Sequence, residues 1–437
     1  MNRRSSIALG FLALIFLGAI VLSSPWARTA GNWGGWLESL FTACSAVCVT
    51  GLTVVSVANE FTLSGQITLL ILVEIGCLGL ITCGTFLMVA IGRRLSLSSE
   101  FSLMNAYGVA EIQGVRSLIL WVVGSMLVIE SAGAALLYYR FHDWYVSIFY
   151  SVMSFCNAGF GIYHGSLSAF AADPFVILVL AAETILGGLG FLVIYNLCTY
   201  RFLRRKSGGK GRLSLHSAVV LRVSAYLLVI AFVVFLAAEW NGALKSFSGL
   251  SQKLYIAFYQ AVTPRTCGFC VIPTAELKPI TRHIYEILMF IGGAPGSAAA
   301  GIKVTTAAIL FYTLLAMCRG ESETVVSHRI VPYDIVRESI VIVTAMMTFI
   351  VVIMGALLIT DGGHISSDAL FFESVSAITT TGLSIGNTTE TLSRHGKIII
   401  MIAMFIGRLG ALTVVMMIGD REVKRHVRYP SEELVVG

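Results

Sequence analysis

Four short apolar strings that end in a glycine recur along this chain, and their spacing limits what it can fold into more than any other feature. They read AVCVTGL (Ala46 to Leu52), SFCNAGF (Ser154 to Phe160), TPRTCGF (Thr263 to Phe269) and AITTTGL (Ala377 to Leu383). Their glycines, Gly51, Gly159, Gly268 and Gly382, follow one another at intervals of 108, 109 and 114 residues, a period that marks an internal repeat. A second feature keeps the same register. About 25 residues after each glycine, a small-residue notch interrupts the next apolar stretch: Gly76/Gly79, Gly187/Gly190, Gly292 with Pro295, and Gly407/Gly410.

The chain is 57% hydrophobic and 12% charged, against about one-quarter charged in a soluble domain. Stretches long enough to cross a bilayer recur from Ser6 to near Gly419. The expected fold is therefore an all-α polytopic membrane protein. Each unit reads as spanning helix, short helix, Gly-containing loop, spanning helix, which gives four helix–pore-loop–helix repeats and eight spans. The unit boundaries fall at 1–97, 98–212, 213–325 and 326–419, followed by a tail at 420–437. The first segment, Ile7 to Leu22, follows Arg3 and Arg4 and reads as a retained helix, although Ala27 to Ala30 leaves the reading as a cleaved leader open.

The net charge of +6 is distributed as topology rather than as a nucleic-acid surface. Basic residues gather in alternate connections: Arg3/Arg4, Arg93/Arg94, the run from Arg201 to Arg212, Arg319/Arg329, and Arg421 to Arg428. By the positive-inside rule these connections and both termini are cytoplasmic, which puts every glycine loop on the opposite side. Cys267 and Cys270 form a C-x-x-C, but with no neighbouring histidine or second pair they read as small apolar residues, so no transition-metal site is expected. The sequence also shows no HExxH, Walker motif or nucleophile elbow, which argues against an enzyme.

Non-helical backbone at membrane depth leaves carbonyls unpaired, at a cost of several kcal/mol each in hydrocarbon, unless it lines a polar cavity. Four such loops can converge on one central pore, with their oxygens replacing the hydration shell of an ion. The short helices would aim the partial negative charge of their C-terminal ends at that axis, favouring cations. Any one of the four glycines alone could equally serve packing; four in register favour positive φ and inward carbonyls. Glu38, Asp143 and Asp368 read as solvated mouth charges, whereas Glu373 lies within the fourth short helix, where an ion-related role stays open.

The third notch extends into GGAPGSAAAG, which cannot continue a straight helix. It reads either as a kink or as a movable plug: Gly292, Gly293, Ala294, Pro295, Gly296, Ser297, Ala298, Ala299, Ala300 and Gly301, followed by Lys303, whose stem could instead run to the cytoplasmic interface. This is expected to be the single broken second span. Arg408 sits in the fourth notch, and an arginine inside a span normally faces the interior or water.

With VTGL, NAGF, RTCGF and TTGL in hand, and the tail YPSEELVVG, the chain resembles the Trk/Ktr/HKT superfamily of potassium transporters over essentially its whole length, and within it the Ktr-type (KtrB-like) membrane subunit. The resemblance implies a potassium-channel-like, pseudo-four-fold arrangement in one polypeptide. It places K+ coordination on the backbone carbonyls of Val49, Thr50, Gly51, Asn157, Ala158, Gly159, Thr266, Cys267, Gly268, Thr380, Thr381 and Gly382. Cys267 and Thr381 depart from the residues most usual in such relatives. It also implies gating by the 292–301 loop and Arg408, Na+ as a modulator or second permeant ion, and no covalent cofactor. The implied assembly is a homodimer in a bacterial cytoplasmic membrane under a cytosolic ring of nucleotide-binding KtrA/TrkA-like subunits, with no nucleic acid. A sodium-preferring or unselective permease is the nearest alternative. A secondary transporter with a broken-helix ion site is the alternative of another class, disfavoured by four same-direction units.

Overall fold

Apolar stretches bounded by Gly, Pro and Ser/Asp caps become helices throughout the computed structural model, which describes residues 3–79, 82–83, 115–163, 167–206, 213–410 and 413–414. The basic clusters Arg93/Arg94 and Arg421 to Arg428, together with the tail 420–437, lie outside the described residues. Unit one holds α1 (Arg3–Ser23), α2 (Trp36–Val47) and α3 (Leu63–Leu78). Unit two holds α4 (Val115–Phe141), α5 (Trp144–Phe155), α6 (Pro174–Leu189) and α7 (Phe191–Lys206). Unit three holds α8 (Leu215–Glu239), α9 (Leu250–Val262), α10 (Pro279–Phe290) and α11 (Val304–Cys318). A small hairpin, Val325–Val326 with Arg329–Ile330, leads to unit four: α12 (Tyr333–Asp361), α13 (Ser367–Ile378) and α14 (Arg394–Leu409).

Two of the short helices begin on side-chain caps, whereas α2 and α9 begin on Gly35 and Gly249. Asp143 accepts from the amides of Tyr145 and Val146 to start α5, and Ser366 accepts from Ala369 to start α13. Asp143 is thus a cap rather than a free mouth charge, and Asp368 pairs with Arg282 at 3.1 Å. Helices α2, α5 and α13 have 12 residues each and α9 has 13, roughly 18 to 20 Å at 1.5 Å per residue, too short to cross a hydrocarbon core of about 30 Å. They lie inside: Phe41, Phe149, Tyr150, Phe155, Tyr259 and Phe372 are all fully buried. The longer helices surround them and expose apolar side chains, among them Phe16 and Leu17, Leu127 and Val128, Val229 and Ile230, and Val351 and Val352. A greasy exterior around a buried polar-backbone interior is stable only where lipid is the solvent.

One contact pattern organises the interior. Helix α3 of unit one packs on α5 of unit two, α6 on α9 of unit three, α10 on α13 of unit four, and α14 on α2 of unit one, so the chain of contacts closes on itself.

The second helix of each unit corrects the expectation that only the third is broken. Among the described residues, three helices are long and apolar enough to span alone: Ile119–Phe141, Leu215–Glu239 and Tyr333–Asp361. Helices α6 and α7 make a fourth candidate bent by 96°, and α3 and α14 end within the same notch. The cause is the Gly-x-x-Gly spacing. The first glycine lets a short helix's last carbonyls press against the backbone: a Cβ on Gly76, Gly187 or Gly407 would overlap the carbonyl oxygen of Val47, Phe155 or Ile378. The second, Gly79, Gly190 or Gly410, takes φ of 76°, 85° or 84° and ends the helix.

Candidate functional site

At the C-terminal ends of α2, α5 and α13 the chain leaves the helix by the same pair of hydrogen bonds. Thr50 and Val49 donate to the carbonyls of Ser45 and Ala46; Ala158 and Asn157 to Met153 and Ser154; Thr381 and Thr380 to Ser376 and Ala377. These are Schellman closures, which require a left-handed residue after the cap. That residue is usually Gly, but here it is Val49 (φ 55°), Asn157 (56°) and Thr380 (48°). The third string exits differently, because Pro264 follows the cap; Thr266 still takes φ 70°, and the Thr263 hydroxyl donates to the Phe269 carbonyl. Two residues on, Gly51, Gly159, Gly268 and Gly382 are again positive, at 91°, 68°, 80° and 85°. Alternating the sign of φ turns successive carbonyls toward one side, and β-branched residues persist in the left-handed region only where the surroundings over-determine it.

The four loops meet. A Cβ built on Gly51 would overlap the Ala158 carbonyl oxygen; one on Gly159 would lie 2.8 Å from the Gly268 Cα; one on Gly268 would lie 2.9 Å from the Thr381 oxygen; and one on Gly382 would overlap the Thr50 oxygen. The glycines therefore form a closed ring in the order 51, 159, 268, 382, with the carbonyls of the preceding residues beside it. Positive φ was readable in the sequence; the mutual approach of four backbones is a second, independent reason for glycine. One side of the ring opens into a cavity of ≈ 300 Å³ lined by all four glycines, Thr53, Tyr163, Ser384 and Glu390. Glu390 is an acidic residue of this mouth that sequence reasoning missed, with only the polar string Thr388–Thr391 to point to it. Cys267 is buried with its Sγ 3.3 Å from the Thr184 hydroxyl, a packing partner rather than a ligand partner.

The broken stretch between α10 and α11 contributes no residue to that cavity and sits among the notches. Its neck is closed by Gly292 donating to Ile302 and Ile302 to Phe290, both at 3.0 Å. The loop then reaches both neighbours. Toward unit two, Ala294 and Ala298 donate to Gly188 and Gly187 at 3.0 and 3.2 Å, and Phe191 donates to Gly296 at 3.0 Å. Toward unit four, the Ala298 carbonyl accepts from Arg408 Nη1 at 2.9 Å. Arg408 Nη2 donates to Gly76 and, at 3.2 Å, to Cys77, at the broken end of α3 in unit one. The loop and this guanidinium together tie all four notches. Lys303 does not run toward an interface: its Nζ donates to Ala299 at 2.7 Å, bracing the loop from its own stem. A carboxylate within the helices also escaped notice in the sequence: the Ser151 hydroxyl of α5 lies between the Glu130 backbone carbonyl, at 2.7 Å, and the carboxylate of Glu183, tying α4 to α6.

Backbone loops converging under short, inward-aimed helices inside an apolar shell define a membrane protein of the cation-transporting class. The chain belongs to the TrkH family of cation transport proteins, whose pattern matches residues 11–425. It is 33% identical to the potassium/sodium uptake protein NtpJ of Enterococcus hirae, over 99% of this chain and 96% of that protein. It is 32% identical to the Ktr system potassium uptake protein B of Bacillus subtilis, with the same coverage. In fold it is similar to the potassium transporter TrkH of Vibrio parahaemolyticus, with a TM-score of 0.74 at 16% identity, covering 95% of this chain and 85% of that one.

Proposed function

We propose that this chain is the ion-translocating subunit of a bacterial potassium uptake system. In this reading K+ passes through the glycine ring on the carbonyls of residues 49–51, 157–159, 266–268 and 380–382, and Na+ is a weaker permeant ion or modulator. The closed ring of four glycines carries the reading, because carbonyls held at fixed spacing can substitute for a hydration shell. Each unit is one repeat with two spans, its second span being the two-part segment that folds at the notch, which makes eight spans in pseudo-four-fold order. The unit boundaries are those given above, with both termini cytoplasmic in the bacterial plasma membrane and the 300 Å³ mouth outside.

The loop 292–301 is the gate. It lies across the inner side of the ring, and Arg408 both holds it there and sets a positive charge against an entering cation. A cytosolic ring of nucleotide-binding subunits on the basic face moves the loop, and two copies of the chain pair as a homodimer. The first of these statements is supported by the names of Ktr-system relatives, which imply a system of more than one component.

The test is growth of a potassium-uptake-deficient bacterium at low K+, with Rb+ uptake measured against competing Na+. Wild type should restore growth, and Gly268→Ser, which places a Cβ 2.9 Å from the Thr381 oxygen at φ 80°, should lower the preference for Rb+. Unchanged selectivity in Ser variants of all four ring glycines would remove the filter from this reading.

A further inference from the structure

Nine residues before its ring glycine, each short helix carries a fully buried side chain: Thr42, Tyr150, Tyr259 and Glu373. Three of these positions are neutral. Thr42 donates to Glu38 on its own helix at 2.8 Å, Tyr150 stacks on Tyr163 with ring centres 6.1 Å apart, and the Tyr259 hydroxyl lies 3.7 Å from Cys267 Sγ. The fourth is a carboxylate, and among the described residues no Lys, Arg or His pairs with it. Glu373 Oε1 accepts from the Ser384 hydroxyl and, at 2.9 Å, from Thr389, and the two hydroxyl oxygens lie 3.2 Å apart. Oε2 is buried with no hydrogen-bond partner.

Such a half-satisfied buried carboxylate is costly, and what it holds explains its place. Residues 383–386, the extended segment that follows the fourth ring glycine, have a single backbone hydrogen bond among the described residues, the local one from Thr388 to the Ile385 carbonyl at 3.4 Å. In unit three the corresponding strand is held differently, by Gln260 donating to the Ile272 carbonyl at 2.9 Å. Ser384 and Thr389 in turn line a cavity beside Gly382, Gly51 and Thr53, so the carboxylate stands directly behind the wall of the outer mouth.

We propose that Glu373 is a positioning residue for ion selection: it tethers the strand after Gly382 through Ser384 and Thr389, and so fixes where the fourth strand's carbonyls sit in the ring. The inference deepens the filter reading and rests on it. A ring that discriminates ions by carbonyl spacing is only as exact as the hold on each of its segments.

The experiment uses the full chain in liposomes, with Rb+ uptake measured against competing Na+, for Glu373→Ala, Glu373→Gln, Ser384→Ala and, as a control on the ring itself, Gly382→Ser. Glu373→Ala and Ser384→Ala should each lower the Rb+-over-Na+ preference about tenfold, the size of one charge-assisted hydrogen bond. Glu373→Gln retains an oxygen that accepts from both hydroxyls and should stay within about threefold of wild type, the smaller loss reflecting a neutral acceptor. Ser384→Ala keeps the carboxylate and tests the tether even where Glu373→Ala does not fold. Wild-type preference in Glu373→Ala and Ser384→Ala, with loss in Gly382→Ser, overturns the tether and leaves the filter intact. If Gly382→Ser is also unchanged, the filter reading itself fails. Equal loss in Glu373→Gln and Glu373→Ala assigns the effect to charge and overturns positioning.

Discussion

Replacing Arg408 by Ala should raise transport. The guanidinium donates to the Ala298 carbonyl of the loop at 2.9 Å and to the Gly76 and Cys77 carbonyls of α3. Only the first of these bonds is lost when the loop moves away. A charge-assisted hydrogen bond is worth roughly 1.5 to 3 kcal/mol net, and 1.4 kcal/mol is a factor of ten. Truncation should therefore raise the open population by about one to two orders of magnitude where the closed state dominates. Removing the positive charge lowers the barrier to a cation as well, so both effects have the same sign. Arg408→Lys keeps the charge but loses the fork that reaches the loop and α3 together, and should fall between wild type and Ala. Shortening the loop between Pro295 and Ala300 removes the Ala298 acceptor from the other side and should also raise flux. The assay is initial Rb+ uptake at matched membrane expression, in cells without a cytosolic partner. Slower uptake than wild type in both the Ala variant and the shortened loop, with both proteins folded and inserted, would show that the loop is a structural bridge and not a gate.

Two further outcomes are expected. Cys267→Ala and Cys270→Ala should leave uptake within about twofold, since Cys267 contributes packing and a weak contact to Thr184 at 3.3 Å; stoichiometric zinc in the purified wild type would contradict this. Asp361→Ala should destabilise without changing selectivity, because the carboxylate accepts from the Ser393 amide at 2.6 Å and from its hydroxyl at 3.1 Å where α14 begins. The loss should be about 1 to 3 kcal/mol, read as a lower detergent-solubilised melting temperature with an unchanged Rb+-to-Na+ ratio.

What the sequence disclosed depended on whether local chemistry and global fold agreed. That a short helix precedes each glycine string was legible, as for Trp36–Val47, because a 12-residue apolar segment ending in small polar residues and Gly has few other uses in a membrane. The third break was legible because Gly292 to Gly301 contains a proline and four glycines, which no helix tolerates. The breaks at Gly79, Gly190 and Gly410 were not, since one glycine in an apolar helix fits packing as well as rupture. It is the carbonyls of Val47, Phe155 and Ile378, pressed in from another helix, that make the backbone turn there.

The same contrast separates the glycines of the ring from their partners two residues earlier. Gly51 announces positive φ, whereas Val49, Thr266 and Thr380 deny it, because a β-branched residue resists the left-handed region by its own sterics. Their conformation follows from the closure of the ring, in which each loop is confined by the next, and a single string read in isolation contains no such neighbour. Strain of order 1 to 3 kcal/mol at such a residue persists only when the rest of the fold holds it. The restraints are visible: Schellman bonds on three loops, the Thr263 hydroxyl on the third string, and the Glu373 tether on the fourth. Backbone geometry that side-chain chemistry opposes is thus set by the closed assembly of all four units. For that reason a substitution outside the ring itself, at Ser384 behind it for instance, is expected to change which ion the ring accepts.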